Sequence, residues 1–433
     1  MSRLWTESGA TTTATIPRAG TSSSSTSAAS AACWRRSTGY KKLSDNRELA
    51  LVHMEMRVLI ISDVSARMRG GVPVESRALS NGLQRRGHIV ALATDQSVPG
   101  DPGLHYRISL PVGPSFGNEV QHALEHFKPD MVHVLCMNSK GVLQLAPILR
   151  DHPWVLTMHS IPPYERKLFH LHGHERLHYS ARALRFLPNS LAWRWIFQRR
   201  IVPTIIVHSN FVKDIALAHG ASADAVKVIP LFFEAASHSP TSKSKADDGR
   251  SPFLVTVGGF AHTKGQHDVV KTLPGLSRRF PRLRYQMIGE IRDPSYLAYL
   301  RRLAAELKVA DHMDITPDLS ELEKRNVLEQ ADIYIQPSHE EGFCLAYAEA
   351  AAIVPRLVGT HAGAIPALSN DDPGARVVAI RSPHEIMSAV FDLMRETLSA
   401  EDMCERLARL NERFSIAQYL LAHEGIYLAA QNA

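Results

Sequence analysis

The sequence predicts an α/β protein made of two Rossmann-like halves facing each other across a cleft. Three observations carry that expectation. Short apolar, β-rich runs alternate with helical patterns from Arg57 onward. An aperiodic Ser/Lys/Asp-rich stretch, 237–250, divides this rhythm in two and reads as a linker. Glycines and charged residues gather just after the strands, where ligands of such sheets bind.

The elements follow in chain order. Residues 1–45 form a Ser/Thr/Ala tract with too little apolar surface to offset the entropy of ordering it. The tract lacks the apolar core of a secretory signal, and its poverty in acids resembles an organelle transit segment. A simpler alternative is a true start at Met54 or Met56, since Met56-Arg57-Val58-Leu59-Ile60 already reads as an opening strand. Residues 1–55 are therefore set apart as a tail or a mis-assigned start. Strands are expected near Arg57–Ser62, Ile89–Thr94, Met131–Leu135, Trp154–Met158 and Thr204–Val207, completing a first domain over 56–236. Between the first two, Glu75–Arg86 is helical, with Ala78, Leu79 and Leu83 on one face and Gly87 as its stop. The second domain, 251–412, has strands near Phe253–Gly258, Arg284–Gly289, Met313–Ile315, Asp332–Gln336 and Pro355–Gly359. A final helical stretch, Phe414–Ala430 within 413–433, is expected to cross back to the first domain.

Composition narrows the function. Of 433 residues, 45% are apolar and 21% charged, enough to bury large cores. No run approaches the roughly 18 apolar residues of a membrane span. The four cysteines, Cys33, Cys136, Cys344 and Cys404, lie too far apart for a zinc or redox motif and fit a reducing, cytoplasmic setting. The net charge is +6, and segment 165–200 alone carries eight basic groups against two acidic ones. No nucleic-acid reading module accompanies that excess, so nucleic acid is not an expected partner.

Two turns suit phosphate. Gly70-Gly71 follows the first strand and precedes a helix starting near Pro73. Gly258-Gly259 ends a strand and leads into His262-Thr263-Lys264-Gly265. Glycine lets backbone approach a ligand closely, and a lysine there adds one charge. A plain turn and a surface lysine explain each feature equally well when taken alone. No Gly-x-Gly-x-x-Gly follows any strand, which counts against a dinucleotide dehydrogenase.

The sharpest feature is Pro337-Ser338-His339-Glu340-Glu341-Gly342-Phe343-Cys344-Leu345-Ala346-Tyr347-Ala348-Glu349. Glu341 falls in the loop after a strand, and Glu349 lies eight positions on. At 100° per residue that spacing returns to roughly the same side of a helix, so both carboxylates can face one cleft. Between them the N–H groups of Gly342 to Leu345 suit phosphate or sugar oxygens. The plain alternative leaves Glu341 as a cap and Glu349 in solvent.

These residues resemble the Glu-x7-Glu motif of retaining glycosyltransferases of the GT-B fold, the family-four or group 1 type. The resemblance runs from Met56 to Tyr427 and includes Gly70-Gly71, Pro129-Asp130-Met131-Val132-His133, Thr157-Met158-His159 and Gly258 to Gly265. It continues through Ala331 to Ser338 and Gly359-Thr360-His361-Ala362-Gly363-Ala364-Ile365-Pro366. It implies a nucleotide-sugar donor and a glycan or lipid-linked acceptor, with no cofactor and no metal. It also implies roles: Glu341 for donor-sugar hydroxyls, Glu349 for the ribose, and Lys264 for the diphosphate. The N–H groups of Gly70-Gly71 and Phe343-Cys344 would assist, Gly258 and Leu345 would line the donor site, and His159 would sit near the transferred sugar. In the family's front-face mechanism the leaving phosphate helps to take the acceptor proton, so no protein nucleophile is implied.

The chain departs from the family pattern at four places. Gly259 stands where an arginine is common, so one diphosphate contact is missing or comes from another residue such as His262. Leu231-Phe232-Phe233-Glu234 replaces a common Asn-Gly-Val-Asp. Ala364 and Ala367 replace a glycine and a glutamate. These departures leave room for a non-catalytic sugar- or nucleotide-binding relative, and the shared architecture also admits a nucleotide-sugar epimerase. His170, His172, His174 and His178 cluster in one stretch, read as solvated loop rather than metal site. In 165–200 basic groups interleave with Phe169, Tyr179, Phe186, Trp193, Trp195 and Phe197. That mixture suits peripheral contact with an anionic membrane at the inner face of the cytoplasmic membrane, or else a buried aromatic core edged by solvated arginines.

Overall fold

The structure, a computed structural model, describes residues 55–64, 71–96, 104–159, 188–233 and 251–432. The tail, the 237–250 linker, Gly70, the four-histidine stretch and 165–187 lie outside the described residues.

Two wholly parallel sheets form the frame. The first has the order β3-β2-β1-β4-β5-β6-β7. Its strands are β1 (Arg57–Ser62), β2 (Ile89–Thr94), β3 (Leu104–Arg107), β4 (Met131–Leu135), β5 (Trp154–Met158), β6 (Ile205–Val207) and β7 (Val226–Val228). The second has the order β10-β9-β8-β11-β12-β13. Its strands are β8 (Phe253–Val257), β9 (Arg284–Ile288), β10 (Met313–Thr316), β11 (Ile333–Gln336), β12 (Arg356–Thr360) and β13 (Ala375–Val378). Helices cover both faces, which is why central strands read as unbroken apolar runs: Val58 to Ile61 are all fully buried. This is the expected two-sheet architecture.

Three strands, β3, β7 and β13, were not expected from sequence. Each is an edge of its sheet, only three or four residues long and partly exposed, so each lacks the buried apolar run that marks a central strand. The first helix, α1 (Gly71–Arg85), starts four residues earlier than expected. Pro73 lies in its first turn, where a missing N–H breaks no helical bond. Gly87, at φ +94°, follows its end.

In each sheet the strand order reverses once, between β1 and β4 and between β8 and β11. Loops leaving these strands diverge and leave a crevice at their carboxyl ends. One apolar cluster joins the two domains: Met56, Leu79 and Phe233 share it with Phe343, Tyr347 and Phe414.

The last helix, Ile416–Gln431, returns to the first sheet. It packs on α1 so closely that a Cβ at Gly82 would stand 2.6 Å from Leu420 Cδ1. Arg86 donates twice to the Glu424 carboxylate, at 2.5 and 2.8 Å. Tyr427 Oη meets His133 Nδ1 at 2.6 Å, and His133 Nε2 meets Thr157 Oγ1 at 2.7 Å. The His423 ring is fully buried beside them, and its Nδ1 donates to the Tyr419 carbonyl.

Burial depresses the His423 pKa to about 4, the Tyr419 carbonyl offsetting only part of that effect. The folded ring refuses a proton that the unfolded chain accepts below its ordinary value of 6.5. Stability therefore falls as pH drops through 6.5 toward 4. His423→Phe should remove about 2 kcal/mol from the loss of unfolding free energy between roughly pH 7 and 5, read by urea denaturation at each pH.

Candidate functional site

The loop from β11 to α2 (Leu345–Ala351) carries Glu341, the helix carries Glu349, and the geometry of the loop is held from three sides. Beneath it, Gln336 Nε2 donates to Ser338 Oγ at 2.8 Å, and Ser338 Oγ donates to Glu341 Oε1 at 2.7 Å. Behind it, the His339 ring meets Asp268 at 2.7 Å, and the His339 backbone N–H donates to the Thr263 carbonyl. Gly265, at φ +68°, abuts the Pro337 carbonyl so tightly that a Cβ would lie 2.0 Å from the oxygen. This contact presses the 262–264 turn against the loop, and Lys264 Nζ donates to Glu341 Oε1 at 2.7 Å.

Lys264 and Glu341, two of the residues singled out in the sequence, thus form a direct pair. Burial pulls the Lys264 ammonium down, and the Glu341 carboxylate outweighs that effect, leaving a net shift upward. The pair is charged and mostly covered, with 21% of the lysine side chain exposed. Three donors converge on Glu341 Oε1, so Oε2 keeps acceptor capacity. The Cys344 thiol is pushed well up by burial and then by Glu341, which keeps it protonated and unreactive.

The helical-wheel relation between Glu341 and Glu349 does not hold. Cys344 sits at φ +91°, and α2 begins only at Leu345, so half of the eight-residue spacing is loop. The two carboxylates have different surroundings, and the cavity that Glu349 lines has neither Glu341 nor Lys264 among its lining residues. Glu341 adjoins Gly342, whose backbone touches the first domain. Glu349, on α2, lines a cavity of about 260 Å³ shared with Gly71, Glu75, Phe232 and Leu345. Its Oε2 accepts from Lys324 Nζ at 3.0 Å, and its side chain is 45% exposed. A Cβ at Gly71 would lie 3.5 Å from Leu345 Cδ1, so Gly71 faces the start of this helix.

The domains touch at Gly342. A Cβ there would stand 2.1 Å from the His159 carbonyl oxygen, and Ser209 Oγ donates to the Gly342 carbonyl at 2.6 Å. Only a glycine admits that approach. Gly363, at φ +60°, backs the same loop, where a Cβ would meet Glu341 Cβ at 2.6 Å.

His159 leads to a group that the sequence reading missed. Its Nε2 bonds the Glu75 carboxylate, which is 1% exposed. The same carboxylate faces His208 Nε2 at 3.3 Å and accepts from Tyr419 Oη at 2.6 Å. Burial alone would raise the Glu75 pKa, but His208 and His159 hold it well below the usual carboxylate range. For His208, burial is likewise outweighed by Glu75, and the net shift is upward. The signal for His208 was present, since it follows β6 at its carboxyl end as His159 follows β5. Glu75 reads in the sequence only as a helix start, and nothing local marks it as buried.

Two sets of residues could bring metal-ligand atoms together among the described residues: Glu75 with His159 and His208, and His267 with Asp268 and His339. In each set a carboxylate already pairs with an imidazole at hydrogen-bonding distance. Of the aromatics in 165–200, Trp193 and Phe197 are core residues, whereas Trp195 is exposed. His262 packs against Tyr296 with ring centroids 4.4 Å apart, inside an aromatic cluster.

Comparison with known proteins agrees with this architecture. Residues 239–411 match the family model for glycosyl transferases group 1, and 70–231 match that for a glycosyl transferase 4-like domain. A subunit of phosphatidylinositol N-acetylglucosaminyltransferase from Arabidopsis thaliana is 24% identical over 208 residues, 48% of this chain and 45% of that protein. A GDP-mannose-dependent alpha-(1-6)-phosphatidylinositol monomannoside mannosyltransferase from Mycolicibacterium smegmatis is 28% identical over 36% of this chain and 42% of its own length. The chain thus spans less than half the length of either relative. Among solved structures, sucrose-phosphate synthase from Thermosynechococcus elongatus superposes with a TM-score of 0.68 at 16% identity, over 87% of this chain and 99% of that one. An Anabaena protein solved with UDP and glucose gives 0.64 at 14% identity, over 87% and 100%.

Glu75→Gln removes the charge that two buried imidazoles face. It should lower the unfolding free energy by about 3 kcal/mol. Urea denaturation at neutral pH measures this, and a loss under about 1 kcal/mol would contradict the charged state assigned to the cluster.

Proposed function

Since the chain belongs to the group 1 glycosyltransferases, we propose that it transfers a sugar from a nucleoside-diphosphate donor to a hydroxyl of a glycan or lipid-linked saccharide, retaining the anomeric configuration and using no metal. The observation that carries this reading is the Lys264–Glu341 pair, held at the carboxyl end of β11 where the second domain meets His159. The names of the two relatives above refer to phosphatidylinositol lipids, which supports a lipid-linked acceptor here, while a further relative at 29% identity is named glycogen synthase, which keeps a glycan acceptor in the reading. The exposed Trp195, beside basic Arg199 and Arg200, supports peripheral membrane contact.

The assigned chemistry follows from the donors and acceptors present. As the sugar–phosphate bond breaks, negative charge grows on the diphosphate and positive charge on the sugar ring. An ammonium has three donors, and Glu341 takes one of those on Lys264. The other two serve phosphate oxygens and stabilise the departing charge. The N–H groups of Gly71, Phe343 and Cys344 assist. Glu341 Oε2 accepts a donor-sugar hydroxyl, and its carboxylate lies near the cationic ring. Glu349 Oε1 accepts from the ribose while Lys324 holds Oε2. Gly258 leaves room above the β8 end, with a Cβ position 3.8 Å from Lys264 Cδ. His159, fixed by Glu75, faces the transferred sugar.

A thermal-shift screen with UDP-, GDP- and ADP-sugars selects the donor, and transfer to a saccharide acceptor tests the reaction. Lys264→Met should lower kcat about 10²–10³-fold. Glu349→Ala should raise the donor KM about tenfold or more, as expected for a lost charged hydrogen bond. Proton NMR of the product reads the anomeric configuration, and chelator should leave the rate unchanged. Sugar interconversion without an acceptor would instead indicate an epimerase.

A further inference from the structure

The end of β8 carries two successive glycines, and a cation stands beside each. Lys264 lies against Gly258, with its Cδ 3.8 Å from the position of a Cβ there. Arg292 lies across Gly259, its Cδ and Nε both 2.8 Å from where a Cβ would be. We propose that Arg292 is the second cation of the donor diphosphate subsite, reaching over the bare backbone of Gly259 from the neighbouring strand's loop. This inference rests on the nucleotide-sugar reading above.

The backbone holds Arg292 in place. Beyond the paired strands β8 and β9, Gly258 N–H donates to the Ile288 carbonyl, Phe260 N–H to Glu290 and Asp293 N–H to Phe260, at 2.8, 2.8 and 3.0 Å. Gly289 permits this stitching, because a Cβ there would meet the Gly258 carbonyl oxygen at 2.2 Å. Asp293 then caps the following helix, accepting from Ser295 N–H at 3.1 Å. The Cα of Arg292 is therefore fixed between two anchored residues while its side chain stays 54% exposed.

Its partner is Glu290, at 3.2 Å and 65% exposed. Such a surface pair is weak, and an incoming phosphate displaces it at little cost. The charge of Arg292 also acts on Lys264, behind burial and Glu341 in size. Two cations within electrostatic reach, on a glycine patch at the β8/β11 switch point, match a ligand with two linked anionic groups. A guanidinium adds paired donors that an ammonium lacks. His262, which the sequence suggested for this duty, is committed to the Tyr296 stack. Gly259 is thereby explained: any side chain at 259 displaces Arg292.

Calorimetric titration of the full chain with UDP, GDP and ADP tests this, with the parent nucleosides as controls. Arg292→Ala should weaken the preferred nucleoside diphosphate about tenfold to thirtyfold, leave the nucleoside unchanged and leave the melting temperature unchanged. Gly259→Ala should weaken the diphosphate severalfold in the wild-type background and add nothing in the Arg292→Ala background, because both changes remove the same guanidinium. If Arg292→Ala alters diphosphate affinity less than twofold while Lys264→Met weakens it, the assignment of Arg292 is overturned and the donor reading stands. If the wild-type chain binds no nucleoside diphosphate, both fail together.

Discussion

The contact between Gly342 and the His159 carbonyl sets the spacing of the cleft. It joins the loop after β11 to the loop after β5, so that the two sheets present their carboxyl ends to each other. A single methyl group at 342 would push the domains apart. Other close approaches serve the same loop: Gly265 against the Pro337 carbonyl and Gly363 against Glu341. The site is thus built by bringing backbones nearer than side chains allow, which leaves Glu341 and Lys264 little freedom to drift.

Electrostatics then divides the cleft. On the second-domain side, Lys264 and Arg292 each lean on one carboxylate and Lys324 on two, Glu349 and Glu321, and each keeps donors in reserve. On the first-domain side, one deeply buried carboxylate, Glu75, is surrounded by His159, His208 and Tyr419. The first arrangement is suited to exchanging a protein anion for a ligand anion. The second is suited to staying fixed, since removing any partner leaves a charge in a dry interior.

Most of the frame was legible in the sequence, because central strands of a parallel sheet are buried on both faces and must be apolar throughout. Edge strands escape that requirement, and β3, β7 and β13 left no comparable trace. Lys264 and Glu341 could be singled out because a strand end and a glycine turn mark them, whereas the approach of Gly342 to His159 leaves no mark in the sequence. The relation of Glu341 to Glu349 could not, because the left-handed Cys344 interrupts the helix that the spacing implied. Glu75 and Arg292 stayed hidden for a different reason. Each acts on a group distant in sequence, 84 positions away for Glu75 and His159, and nothing adjacent announces such a partnership.

The helix 416–431 carries a consequence for biosynthesis. Glu75, Arg86 and His133 all belong to the first domain, yet each receives a hydrogen-bond partner from this late helix. While the chain is still leaving the ribosome, that domain holds polar groups in an unfinished, apolar interior. Its packing closes only after the whole second domain has been translated. A nascent protein of this design waits, half-sealed, for its own distal segment, and chaperone dependence during synthesis is the natural corollary.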